Sequence, residues 1–296
     1  MPAHVAHDDE TLEEVRTIPM WMPAPNGPLV GVQLRRRGLY GPHWEGIRAA
    51  FVPGACGAKE DFLPLMRRLV EADHRLFAVD QCGQHETPGV DDPAAYTLRS
   101  LAEDLAVAIT ASCARKPVHL VGHGAGALVA ATAVAEVVGR TVASPSKYPT
   151  LTLVSPCWEG MAAVDGVGSE DWERCAAAQH RGGEVSPERG EEIRQRLARS
   201  HPQSLRGLTS AAAPQDLVAR LRAAGLPMLV VQGAEDTVVS RALTEDVARQ
   251  LGARHRVVED AGHLPHQDNP GALAEILLGF WEECDERVPR ARWEAV

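Results

Sequence analysis

The sequence predicts one α/β domain: a mostly parallel, eight-stranded sheet flanked by helices, with a helical segment inserted late in the chain. Three observations predict it. Short β-branched runs alternate with longer amphipathic stretches, the pattern of parallel strands joined by helical crossovers. A glycine-rich junction, His119 to Gly126, joins a strand directly to a helix. Between Pro156 and Leu226 no clear strand occurs, and the stretch is charged, alanine-rich and helical in character. An ordinary connection would need far fewer residues.

The elements follow in order. Strands are expected near Val15–Met22 and Leu29–Arg36, a hairpin turning at Asn26-Gly27, and then at Arg48–Pro53, an apolar run that stops at Gly54. A helix is expected over Lys59–Ala72 and a buried strand over His74–Asp80, followed by a polar loop through Gly89. Leu98, Leu101, Leu105 and Ile109 fall on one helical face, so Leu98–Cys113 reads as an amphipathic helix. Pro117–Val121 is the next strand, and Ala125–Val138 the helix after it, closed by Gly139. Thr150–Ser155, Pro227–Gly233 and His255–Glu259 complete the strands, and Gly271–Cys284 is a final helix. The domain core is thus expected over residues 1–155 and 227–296, with a helical cap, or lid, over 156–226.

Composition excludes several function classes. The chain has 296 residues, 45% of them hydrophobic, enough for a substantial core. A net charge of −10 argues against a nucleic-acid surface, which needs a basic patch. No apolar run approaches the roughly 18 residues of a membrane span. The start, MPAHVAHDDE, lacks the basic and apolar blocks of a signal peptide. The acidic run Asp8 to Glu14, with His4 and His7 before it, reads as a solvated tail. Six scattered cysteines contain no CxxC pair, so they read as reduced thiols of a cytoplasmic protein.

The junction His119-Leu120-Val121-Gly122-His123-Gly124-Ala125-Gly126 resembles the nucleophile elbow of α/β hydrolases, G-x-S-x-G, with glycine in the serine position. The turn is so sharp that side chains at the outer glycines would clash with strand and helix. The central residue sits at strained backbone angles that glycine tolerates. A dinucleotide-binding loop is the rival reading of GxGxG. It fails on context: the motif follows several strands, and the next strand ends at Ser155 rather than an acidic residue.

Further segments extend the resemblance over nearly the whole chain. Val230 to Asp236 is similar to the strand that presents the triad acid, with Asp236 in the acid position. Asp260 to Pro265 is similar to the loop of the catalytic histidine, His263. Phe51-Val52-Pro53-Gly54 resembles the oxyanion loop, with Pro53 in place of histidine. Asp80 to Thr87 resembles the D-x-x-G-x-G-x-S loop, with His85 and Thr87 at variant positions.

The resemblance implies an enzyme without its serine. Losing a triad member costs on the order of 10⁴ to 10⁶ in rate, so acyl-enzyme turnover through residue 124 is not expected. The residues kept imply a general base, His263 steadied by Asp236, and an oxyanion hole from the backbone N–H groups of Ala55 and Ala125. The expected chemistry is cofactor-independent proton abstraction on a cyclic or aromatic small molecule, leading to elimination, cyclisation or C–C bond formation or cleavage. Bacterial natural-product pathways are the setting the resemblance implies. Three alternatives stay open: a water-activating hydrolase, a serine hydrolase captured as a Ser→Gly variant, and a non-catalytic binder of small molecules.

Other residues carry weighed expectations. Cys56, Cys82 and Cys157 follow strand ends on the active-site side, and Cys56 is the foremost substitute nucleophile, against the ordinary reading of a small buried hydrophobe. His85, His123 and Trp158 are pocket candidates, with packing as the rival role. Met161 and Trp172 are expected to close the pocket. His266 is expected at the surface or in packing, and Glu235 is a fallback acid that strand alternation points elsewhere. No metal is expected, because the histidines lack an i, i+4 pair or a carboxylate partner.

Overall fold

The computed structural model describes residues 15–36, 48–70, 74–113, 117–140, 147–160, 173, 176–177, 179–181 and 185–287. The N-terminal tail with His4, His7 and the acidic run, together with Met161, Trp172, Gly182 and Gly183, lies outside the described residues.

An eight-stranded sheet runs in the order β1-β2-β4-β3-β5-β6-β7-β8. Its strands are β1 (Val15–Met22), β2 (Leu29–Arg36), β3 (Arg48–Val52), β4 (Arg75–Val79), β5 (His119–His123), β6 (Leu151–Val154), β7 (Met228–Gly233) and β8 (Arg254–Val258). The hairpin β1–β2 is antiparallel, and β2 meets β4 antiparallel. From β4 onward every pairing is parallel. Parallel neighbours require crossovers, and the helices supply them. They are α1 (Leu63–Val70), α2 (Leu98–Ser112), α3 (Ala125–Arg140), α4 (Pro187–Arg199), α5 (Pro202–Ser210), α6 (Leu217–Ala224), α7 (Arg241–Leu251), α8 (Pro265–Asp268) and α9 (Pro270–Arg287).

The core lies on both faces of the sheet, as the period-2 alternation of strand side chains requires. Ala50 and Val52 of β3 pack with Leu101 and Leu105 of α2 and Val129 of α3. Their neighbours Ala49 and Phe51 pack on the other side with Leu65 of α1 and Leu277 and Trp281 of α9. α4, α5 and α6 fall between β6 and β7, where the sequence carries no strand, and α6 packs against α3. Among the described residues no helix is long and apolar enough to cross a membrane.

Several boundaries depart from expectation: Gly139 does not close α3, which runs through it to Arg140, and α9 runs past Cys284 to Arg287. The helix expected over Lys59–Ala72 is a 3₁₀ turn, Lys59–Phe62, followed by α1. Pro64 has no N–H to give the carbonyl four residues back, so the α-helical ladder starts beyond it. Residues 71–73 lie outside the described range. β5 starts and ends two residues later than expected, because Gly122 and His123 pair with Leu153 and Val154 of β6. Pairing within the sheet outweighs the weak strand preference of glycine.

Candidate active site

Backbone geometry at the end of β5 explains the glycines. A Cβ on Gly122 would lie 2.5 Å from the Gly126 carbonyl oxygen, and one on Gly126 would lie 2.3 Å from the Pro53 oxygen. Neither fits, so both positions exclude a side chain. Gly124, between β5 and α3, has φ +55, the left-handed region. A Cβ there meets only ordinary contacts: it would stand 3.7 Å from Cys157 Sγ, from Gly54 Cα and from His263 Nε2. The seat of the missing side chain is therefore empty and bounded by a thiol, a backbone turn and an imidazole.

Two loops bring the acid and the histidine together. The Glu235 N–H donates to the Ala261 carbonyl at 2.9 Å and the Ala234 N–H to the Val258 carbonyl at 2.9 Å, which ties the loop after β7 to the loop after β8. His263 Nδ1 then lies 3.1 Å from Oδ1 and 3.0 Å from Oδ2 of Asp236. Both side chains are enclosed, 1% exposed for His263 and 0% for Asp236. Asp236 Oδ1 also accepts from the Val238 and Val239 amides at 2.9 and 3.0 Å, which orients the carboxylate.

Electrostatics couple the pair. Burial pushes the Asp236 carboxyl upward, but the charge and hydrogen bond of His263 hold it below the usual range. Burial pushes His263 down, yet the Asp236 charge and hydrogen bond, with a further contribution from Cys157, raise it to about 10. Nε2 has no hydrogen bond of ordinary geometry and is buried. One imidazole nitrogen is thus committed to the carboxylate, and the other faces the empty seat.

The loop after β3 carries Ala55, one of the two residues expected to form an anion hole. Gly54 touches the seat, Ala55 follows it, and Ala125 is the first residue of α3, where N–H groups are left over by the helix. Three glutamines pin this loop: Gln81 Nε2 donates to the Pro53 carbonyl at 2.9 Å, Gln84 Nε2 to that of Gly54 at 2.8 Å, and Gln179 Nε2 to that of Ala55 at 3.2 Å. Sequence reading assigned none of them. Gln81 and Gln84 fall within the Asp80–Thr87 segment, but a glutamine's partner across the fold has no signature in the chain.

The remaining candidates separate. Cys157, not Cys56, borders the seat; its N–H donates to the Gly124 carbonyl at 3.3 Å. Cys56 is buried at φ +61. Burial raises the Cys82 thiol to about 11, which keeps it protonated. His123 is buried, and its Nε2–H donates to the His263 carbonyl at 2.9 Å, so it supports the histidine loop from beneath. His266 is also buried and stacks on Phe62 with ring centroids 4.5 Å apart, a packing residue rather than a surface one. Trp158 is partly buried and packs against the core. Glu235 pairs with Arg181 and not with His263.

His85 lines a cavity of about 370 Å³ with Glu60, Asp61, Arg189, Arg196 and Gln267, and neither member of the His–Asp pair borders it. Glu60, His85 and Glu86 bring ligand-type atoms within 4.8 Å of one another. The Lys59 ammonium already sits 2.8 Å from both Glu60 and Glu86 and 2.7 Å from Asp80, so a cation stands where a metal would.

Comparison with known proteins shows the family and the fold. Residues 49–276 match the alpha/beta hydrolase family. A protein called "Putative carbamate hydrolase RutD", from Variovorax paradoxus (strain S110), is 35% identical over 91 residues, which span 31% of this chain and 33% of that protein. This chain therefore matches about a third of the length of that curated relative. A thioesterase domain from the curacin biosynthetic pathway superposes with a TM-score of 0.65 at 16% identity, over 89% of this chain and 99% of that one. E-2-(acetamidomethylene)succinate hydrolase superposes with a TM-score of 0.66 at 20% identity, over 90% and 100%.

Proposed function

The chain belongs to the alpha/beta hydrolase family, and from that premise we propose that it is an enzyme whose His263–Asp236 pair is the general base of a site without a serine nucleophile. The observation that carries this reading is the buried, unpartnered Nε2 facing the vacant seat at Gly124. A base held by a carboxylate and shielded from water is suited to moving a proton at a bound substrate. Ala55 and Ala125 supply the N–H pair that stabilises the oxyanion formed, an enolate or phenolate.

The reaction class is cofactor-independent and non-hydrolytic: proton abstraction followed by elimination, cyclisation or C–C bond formation or cleavage. The substrate is a small organic molecule, cyclic or aromatic. A place in bacterial natural-product formation follows from the resemblance and composition alone. Residues 156–226 act as a cap over the site. In support, Arg189 and Arg196 of α4 both reach the buried Asp61 of the core at 2.8 Å, and Gln179 pins the oxyanion loop.

The test is a panel of cyclic and aromatic carbonyl compounds, with products read by mass spectrometry in ¹⁸O-labelled water. Turnover is expected from the native protein without label in the product, and His263→Ala is expected to lose at least about 10³-fold in kcat. Full turnover by His263→Ala would remove the dyad from the mechanism. Label in the product would replace proton abstraction with hydrolysis.

A further inference from the structure

The geometry points to Cys157 as the nucleophile of a displaced Cys157–His263–Asp236 triad, in which the thiol enters the empty elbow seat from the strand after the elbow and takes an acyl group from an activated ester or thioester. The inference rests on the base proposed above and names the first proton that base handles.

Several observations support it. The Cys157 sulfur and His263 Nε2 both border one seat, each 3.7 Å from the position of a Gly124 Cβ, and a Cys157 hydrogen bond is among the influences on the imidazole. That seat is where the family places its nucleophilic oxygen. The thiol is held there by backbone: Ser155 turns the chain at φ +43 just past β6, and the Cys157 N–H donates to the Gly124 carbonyl. The same seat is bordered by a buried imidazole nitrogen that makes no hydrogen bond of ordinary geometry among the described residues. Ala55 follows Gly54, which touches the seat, and Ala125 opens α3 beside it, so their N–H groups are the candidates for holding the oxyanion of a carbonyl under attack.

The proton path also suits a thiol: the Asp236 charge and hydrogen bond favour the protonated imidazole, so His263 can hold the thiol's proton while the sulfur attacks. In the proposed cycle the Cys157 proton rests on His263, leaving a thiolate beside an imidazolium. The thiolate attacks the carbonyl carbon, and the C–X bond breaks as HX leaves with the proton from His263. The imidazole, now neutral, takes a proton from a hydroxyl, amine or acidic C–H of the tethered acyl chain. That atom attacks the thioester, the C–S bond breaks, and the thiolate–imidazolium pair returns. The product is cyclised, and neither oxidant nor cofactor is consumed.

The experiment uses the full chain and p-nitrophenyl butyrate as probe, with intact-mass analysis after quenching and peptide mapping of the adduct. The native protein is expected to gain one butyryl group at Cys157, released by neutral hydroxylamine as a thioester is. Cys157→Ala and Cys157→Ser are expected to gain no thioester while unfolding at the native temperature, and Cys82→Ala to behave as the native chain. His263→Ala is expected to acylate at least about 10²-fold more slowly. Equal acylation of His263→Ala, or an adduct only at another cysteine, overturns the triad. No adduct at Cys157, with proton-transfer turnover kept in Cys157→Ala and lost in His263→Ala, overturns this inference and leaves the general base standing. Turnover kept in His263→Ala removes both.

Discussion

A single missing hydroxymethyl group organises this site. Gly124 keeps the left-handed backbone of the elbow, so the turn survives without a side chain, and the surrounding groups stop at van der Waals distance from where one would stand. Restoring the side chain therefore meets no steric obstacle, and its cost is the backbone strain of a non-glycine residue at φ +55. Gly124→Ser adds a Cβ with 3.7 Å contacts and an oxygen within the reach of His263. The expected outcome is a gain in p-nitrophenyl ester hydrolysis on the order of 10²-fold, lost again when His263→Ala is added. Steady-state release of p-nitrophenolate measures it. No gain would mean that the imidazole is not aligned with the seat.

At the scale of elements, the cap helix α4 is joined to the core by a buried charge. Asp61, at the 3₁₀ turn before α1, accepts from Arg189 and Arg196 at 2.8 Å and from the Ala58 amide at 2.9 Å. Burial pushes its carboxyl upward, and the two guanidinium groups hold it below the usual range. Asp61→Ala leaves Arg196, 7% exposed, without its counter-charge. Breaking a buried pair from one side costs about 3–5 kcal/mol. Urea denaturation should show that loss, and hydrogen exchange should show it concentrated over 187–199. Native protection of α4 in Asp61→Ala would mean that apolar packing alone seats the helix.

For the molecule as a whole, buried imidazoles set the response to acid. His119 and His266 are lowered to about 3 and about 4, first by burial, and His123 is lowered for the same reason, with neighbouring histidine charges adding to it. The unfolded chain takes protons near the ordinary histidine value of 6.5, whereas the folded chain refuses them. Stability is therefore full above about pH 6.5 and falls as pH drops toward the folded values, by about 1.4 kcal/mol per pH unit for each such group. Asp80 opposes this over a narrower window: burial raises it to about 6 from 3.8, so the folded chain gains a proton there. His263, raised to about 10, keeps its proton in the folded chain and opposes the loss near neutral pH as well, and the three lowered rings outweigh these two. The thermal midpoint should fall steadily between pH 7 and pH 5, and a flat profile would contradict the buried, neutral state of these rings.

Local pattern was enough for the frame. Apolar and β-branched runs marked all eight strands within two residues; the central strands β3 to β7 are buried on both faces and must be apolar whatever they pair with, while β1 and β8 at the sheet edges are partly exposed. The glycines at 122 and 126 declared a turn that forbids side chains, and resemblance to the family's acid strand and histidine loop marked Asp236 and His263 as partners. Chain order alone could not rank the thiols. Cys56 and Cys157 look equivalent along the sequence, each just past a strand end. Only the turn at Ser155 and the hydrogen bond from Cys157 to Gly124 carry one of them to the seat. His85 failed as a pocket residue of this site for the same reason, since its loop folds toward α4 rather than toward His263. The chain by itself therefore determined which elements form and where a nucleophile is absent, since backbone sterics and hydrophobic period act between near neighbours. The tertiary structure decided what borders the resulting gap, because that contact joins residues far apart in sequence and depends on angles no spacing encodes.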